Sequence, residues 1–326
     1  MFQPNRGLSA LGTVFTLLLA MATVASCATP GSPQPPTTSA PATSSPPAST
    51  PAPTDAQELC GPGSAINFDK TAFPASPKID NQWFPLKPGM QYTTTGTVEA
   101  ADGTTERIVT HTVTGLTKVI DGVKTLVMWD RDYQDGALVE SELAFFAQDN
   151  AGTVWLFGEY PEEFENDVFI GAPNTFIHGI SGSQAGIAMQ AQPQTRTRTP
   201  EYVQGHAPSV GFLDCARTIS MDVALCVPAG CYGGLLEINE RNPLEPAVGN
   251  QRKFYSAGTG LVKVTAIGGE RQETLDLTKA EQLSDAQLAE VNAQALDLDE
   301  HGYEVSKDVY AQTPRAEAAT EGAGRS

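Results

Sequence analysis

The sequence predicts a mainly β domain, a single antiparallel curved sheet that forms a half-barrel or lipocalin-like barrel, with one C-terminal helix. Three observations carry this. Runs rich in Val, Thr, Ile and aromatic residues recur between residues 90 and 277, separated by Asp-Gly and other Gly-containing turns; that alternation is a hairpin signal. The connections are too short to hold crossover helices, so neighbouring runs pair antiparallel. About ten such strands make a sheet whose edges need protection, which favours curling or closure. A two-sheet sandwich is the alternative.

The elements follow in order. Ile79 to Tyr92 (IDNQWFPLKPGMQY) ends in a proline-bounded turn and leads into the first strand, with Trp83 and Phe84 placed to plug one end. Strands are expected over Met90–Val98, Thr104–Thr114, Leu116–Ile120, Val123–Trp129, Ala137–Ala147 and Thr153–Gly158. The turns between them include Asp102-Gly103, Asp121-Gly122 and Asp135-Gly136. A loop-rich insert, about 160–211, is full of Gly, Pro, Gln and Thr. The β pattern resumes over Arg217–Val227, Leu235–Asn239, Arg252–Ser256, Leu261–Ala266 and Gln272–Leu277. A helix then begins at Ser284, with Gln287 completing a capping box. Its apolar stripe is Leu288, Val291, Ala295 and Leu298. Residues 311–326 are expected to be a disordered tail, which bounds the mainly β domain at 59–310.

The ends of the chain have a different composition. Met1 to Ser26 has a positive start at Arg6 and an apolar run from Leu11 to Ala25, the layout of a secretory signal. Val24-Ala25-Ser26-Cys27 resembles the lipobox of bacterial lipoproteins. That resemblance implies a diacylglycerol on Cys27, which becomes the mature N-terminus, with palmitate-type acyl chains holding the protein on a membrane. The 27 residues after Cys27 contain 9 prolines, 11 serines or threonines and no charge. Such sequence cannot bury a core and stays extended, so residues 27–58 read as a tether. The expected location is the extracytoplasmic face of the cell membrane.

Net charge is -18. This argues against a nucleic-acid partner, because phosphate binding needs clustered Lys and Arg. The four cysteines beyond Cys27 are Cys60, Cys215, Cys226 and Cys231, an even number that suits disulfides in an exported protein. Val227-Pro228-Ala229-Gly230 makes a good turn between Cys226 and Cys231; this favours that pair and leaves Cys60 with Cys215. A zinc site would need paired short spacings with histidine nearby, which the sequence lacks.

Two phrases, DNAGTVWLFGEY (Asp149–Tyr160) and RKFYSAGTGLVKV (Arg252–Val264), are similar to segments of uncharacterised secreted bacterial proteins, mostly lipoproteins. The layout is also similar to that of the open half-barrel lipid carriers of bacterial envelopes. These resemblances imply an envelope protein with a curved β domain, and no activity.

Candidate chemistry is sparse. Asp130-Arg131-Asp132-Tyr133-Gln134-Asp135-Gly136 fails the EF-hand spacing, since its third acid falls at position six and its Gly at seven; it reads as a solvated hairpin turn. Glu159, Glu162, Glu163, Glu165 and Asp167 form an acidic run, read as a solvated loop, that would serve a hydrolase only if paired across a cleft. His111, His178, His206 and His301 show no ligand spacing. His111 is expected to point to solvent or a neighbouring strand. No Gly-x-Ser-x-Gly elbow occurs. Neither a metal nor a cofactor is predicted. Trp83, Phe84, Trp155 and Phe157 are the candidate lining for an apolar ligand in a barrel, weighed against plain core packing. The leading expectation is a non-catalytic binding module for a lipid or apolar small molecule. The alternatives are an envelope scaffold that holds a protein partner and a hydrolase.

Overall fold

The computed structural model describes residues 56–195 and 200–319. The expected signal, the expected lipidation site Cys27 and nearly all of the expected tether lie outside the described residues.

A short helix, α1 (Ala56–Cys60), is followed by the strands β1 (Met90–Ala100), β2 (Gly103–Ile120), β3 (Val123–Gln134), β4 (Ala137–Gln148) and β5 (Val154–Glu165). Short strands β6 (Val168–Gly171) and β7 (Phe176–Ile177) follow, then β8 (Gln184–Met189) and β9 (Tyr202–Ala207). The chain continues through β10 (Phe212–Val227), β11 (Gly230–Arg241), β12 (Asn250–Ser256), β13 (Gly260–Ile267) and β14 (Gln272–Gln282). It ends with α2 (Asp285–Val305) and β15 (Glu317–Ala318). All the pairings are antiparallel. The strand order β1-β14-β13-β12-β11-β10-β9-β8-β5-β4-β3-β2 returns to β1 through the β1–β2 pair, so among the described residues 12 strands close a barrel. Closure removes the sheet edges, which resolves the expected curved sheet as a full barrel.

The hairpins follow their turn chemistry. Asp121 (φ 47) and Gly122 (φ 80) join β2 to β3, and Asp135 (φ 48) and Gly136 (φ 84) join β3 to β4. Positive φ at both central positions matches the right-handed twist of the flanking strands.

Two expected boundaries were wrong. The loop-rich insert at 160–211 is not an insert: β5 runs on to Glu165, and β8 and β9 are staves of the barrel. Their Gly, Gln and His content hid them, but the ladder is a backbone property and tolerates those side chains. The tail is ordered as far as Ala319, because Glu317 and Ala318 pair with Thr117 and Leu116 of β2. Residues 320–326 lie outside the described residues.

One core fills the barrel at the end closed by residues 79–86. Ile79, Trp83, Phe84 and Leu86 pack against Leu126, Met128, Phe146, Leu156 and Tyr255. Asn81 anchors this plug, its Nδ2 donating to the carbonyls of Gly152 (2.9 Å) and Gln190 (3.0 Å). A second core lies outside the barrel, where α2 covers β2 to β5. Val291, Ala295 and Leu298 meet Leu116, Val127, Phe145 and Leu143. The Ser284–Gln287 capping box starts this helix, and Leu288 stays half-buried. Lys118 is fully buried under the helix. Its Nζ donates to Asp299 Oδ1 (2.8 Å), Tyr303 Oη (2.9 Å) and the Pro314 carbonyl (2.8 Å), and it lies 4.2 Å from the Tyr310 ring centre.

Disulfides join Cys60 to Cys215 and Cys226 to Cys231. The second crosses the turn of the β10–β11 hairpin, where Val227 opposes Gly230. The first ties α1 to β10.

Candidate functional site

Side chains alternate between the two faces of a strand, so the inner face of each stave can be read from its register. On β3 the inward positions are Leu126, Met128, Asp130 and Asp132; on β4 they are Phe146, Ala144, Glu142 and Glu140. On β2, Val113, His111 and Val109 oppose Met128, Asp130 and Asp132, and Arg107 follows opposite Gln134. The interior therefore changes from apolar to charged along the barrel. The apolar half is at the plug. The charged half lies toward the turns at 101–102, 135–136 and 268–271.

β5 supplies one more inward acid through a bulge. Phe145 opposes Gly158, while Phe146 opposes Leu156, so one residue is extra between them. A bulge flips the faces of everything beyond it. Trp155 and Phe157 point outward, and Glu159 turns inward beside Ala144. Tyr160 turns outward to pack against Tyr310, their tilted rings 4.5 Å apart at the centres. Gly158 permits this, because a Cβ there would collide with the Phe176 carbonyl oxygen.

The charged half holds a network with more acids than cations. Arg107 pairs with Asp132 and with Glu273 (Nε to Oε1, 3.2 Å). Gln251 donates to Glu273 (2.8 Å), and Gln204 to Glu240 (2.9 Å). Lys253 pairs with Glu240, and His111 Nδ1 lies 3.0 Å from Asp130 Oδ1. Several buried oxygens have no hydrogen-bond partner, among them Asp130 Oδ2, Asp132 Oδ1, Glu142 Oε1 and Glu159 Oε1. Glu142 is 7% exposed and Glu159 5%.

Burial sets the electrostatics. It pushes the Glu159 carboxyl up to about 8, with Asp214 and Asp130 adding repulsion. Burial and then Glu159 and Glu140 hold Glu142 well above the carboxylate range. Asp132 is pushed up to about 7, because burial outweighs Arg107. Glu140 is raised to about 8 by burial and by Asp132, although it keeps some solvent contact. Removing charge from water disfavours the ionised form, and like charges add to that effect.

Several expectations need correction. Asp130 and Asp132 belong to a buried strand, not to a solvated turn: β3 runs five residues past Trp129, and only Asp135 and Gly136 turn. Glu159 and Glu162 are not in a solvated loop. Glu159 lies inside the barrel, and Glu162 lies outside it, accepting from Tyr160 Oη (2.6 Å) beside His301 Nδ1 (2.6 Å). His111 is not solvent-facing but sits inside the barrel, 5% exposed. His178 is structural. Its Nδ1 accepts from the Ala185 amide (2.9 Å), its ring packs on Phe68, and burial lowers its pKa.

The four aromatics proposed as one ligand lining do not share a cavity. Trp83 and Phe84 fill the barrel at the plug, with Phe84 against Phe146 at 5.3 Å. Trp155 and Phe157 face outward and are covered by Phe68 and Phe73. A period-two count along β5 separates Trp155 and Phe157 from Val154 and Leu156. The acids are not legible in the sequence because the polar stretch after Trp129 reads as a turn, although β3 continues to Gln134, and the bulge at Gly158 has no clear sequence signal. Among the described residues, no group of three or more His, Cys, Asp or Glu has an arrangement that could hold a metal ion.

No family model matches the chain, and no curated protein matches it. Two solved structures are similar. One is a Bacteroides fragilis protein described as exported and of YmcC-like fold, 16% identical, with TM-score 0.36, covering 61% of this chain and 98% of its own. The other is a Parabacteroides distasonis protein described as a lipoprotein, 12% identical, with TM-score 0.34 and the same coverage. At these scores neither likeness bears on function, and the fold rests on the strand pairings above.

Proposed function

We propose that this chain is an exported, lipid-anchored binding protein that takes a polar small molecule into the charged half of its barrel, without catalysis. The observation that carries the reading is the set of buried, unpartnered carboxylate oxygens on Asp130, Asp132, Glu142 and Glu159. A barrel interior that served only for packing would be filled with apolar side chains, as the plugged half is. Unpaired polar groups in a low-dielectric interior are costly, so a chain that keeps them there has a use for them.

The lipid-carrier reading fits less well. The apolar half of the interior is occupied by the protein's own Trp83, Phe84, Phe146 and Tyr255, which leaves the aromatic lining for the core rather than for an acyl chain. Export and anchoring are supported by the lipobox-like Val24–Cys27, the apolar run before it and the two disulfides, which suit an oxidising compartment.

Native mass spectrometry of the full chain, expressed with its leader and purified from the envelope, tests both parts. A co-purifying water-soluble molecule at one-to-one stoichiometry, together with a diacylated N-terminus at Cys27, is the expected result. A co-purifying lipid beyond the covalent acyl chains would restore the carrier reading. A stable complex with another envelope protein would favour a scaffold. Turnover of the bound molecule would make the protein an enzyme.

A further inference from the structure

Resting on the binding reading above, we infer that the inner wall formed by Asp130, Glu142 and Glu159 is a site for a small organic cation carrying primary ammonium groups. Asp130 and Glu142 oppose each other directly across β3 and β4, and Glu159 opposes Ala144 one inward position further along β4. Directly opposed Cβ atoms are about 5 Å apart and diagonal ones about 7–8 Å. Three carboxyl groups from three adjacent strands thus line one patch of wall.

The charge balance favours a cation. Arg107 pairs with Asp132 and Glu273, and Lys253 pairs with Glu240 while its charge also acts on Glu159. His111 Nδ1 engages Oδ1 of Asp130. Asp130 Oδ2, Glu142 Oε1 and Glu159 Oε1 remain unpartnered in a buried setting. Buried carboxylates are either neutralised by protons or held by a positive partner. Their oxygens come from three adjacent strands, at directly opposed and diagonal positions, and among the described residues no group of three such acids is arranged to hold a metal ion. That spacing suits the separate N–H donors of ammonium groups, which form charge-assisted bonds to carboxylates, better than a single metal ion.

Calorimetric titration of the full chain compares putrescine with the uncharged 1,4-butanediol and with calcium chloride. The inference expects putrescine to bind, butanediol not to bind, and the double variant Glu142→Gln/Glu159→Gln to bind putrescine at least about tenfold more weakly, the scale of losing a charged hydrogen bond. Glutamine keeps the shape of glutamate, so the barrel should fold; if the pair fails to fold, Glu159→Gln alone is read in the same way. Repeating the titration in buffers of different ionisation enthalpy should show proton release on binding. His111, Asp132, Glu140, Asp214 and Lys253 face the same space and share that readout. Equal binding of diol and diamine would overturn the cation assignment and leave the polar-ligand reading standing. Calcium binding without putrescine binding, or putrescine binding that survives the double variant, would also overturn it. Binding of none of the three would overturn it too. In that last case the native mass spectrum decides whether the wider reading survives.

Discussion

Glu159 shows most plainly how one residue's setting decides what the protein can do. Burial, with repulsion from Asp214 and Asp130, pushes its carboxyl up to about 8, whereas the ordinary glutamate value in an unfolded chain is about 4.3. Asp132 and Glu140, at about 7 and about 8, shift in the same direction, as does Glu142. Between those unfolded and folded values the folded state holds more protons than the unfolded one, so stability falls as pH rises. The ligand-free protein is therefore expected to melt at a higher temperature at pH 5 than at pH 8. Glu159→Gln should flatten that slope and raise the pH 8 melting temperature; a melting temperature that rises from pH 5 to pH 8 would contradict it. Lys118 provides the opposite test. It is an inaccessible cation whose pKa burial lowers against the pull of Asp299. Lys118→Met leaves Asp299 buried without its ion partner and is expected to cost about 3–5 kcal/mol in denaturant unfolding. Replacing both residues with apolar ones should recover most of that loss.

At the scale of elements, the plug and the bulge divide the work. The plug at residues 79–86 is a loop held in place by Trp83 and Phe84. Trp83→Ala would leave a cavity in the barrel's apolar half and should destabilise by about 3–5 kcal/mol. On the present reading it should leave diamine binding unchanged, because Trp83 packs at the opposite end of the interior from the acids. The plug was legible in the sequence, since a Trp-Phe pair between prolines before the first strand has few other uses. So were most hairpins, because Asp-Gly fixes a two-residue turn by backbone geometry alone. The helix start was legible from Ser284 and Gln287. β8 and β9 were not: QAGIAM and YVQGHA have little alternation and low β propensity, and tertiary pairing overrides propensity. Nor was the buried acidic wall. It needs the far end of β3, the near end of β4 and the bulge in β5 to meet, and only the register of a closed sheet brings them together.

For the whole molecule, the Cys60–Cys215 bond fastens the segment before the barrel to β10. That bond closes a loop of 155 residues. Its loss by Cys60→Ala/Cys215→Ala is expected to cost about 2–5 kcal/mol, measured by urea unfolding. The short Cys226–Cys231 loop should contribute about 2 kcal/mol in the same chain-entropy picture. Cys27→Ser should move the protein from the membrane fraction to the soluble fraction while leaving the barrel's melting temperature unchanged.

The most direct test of the acidic wall is a crystal structure of the protein purified from its own envelope and soaked in putrescine. Density bonded to Asp130, Glu142 and Glu159 inside the barrel is the expected result. An acyl chain threaded among Phe146, Met128 and Tyr255, with Trp83 displaced, would contradict it.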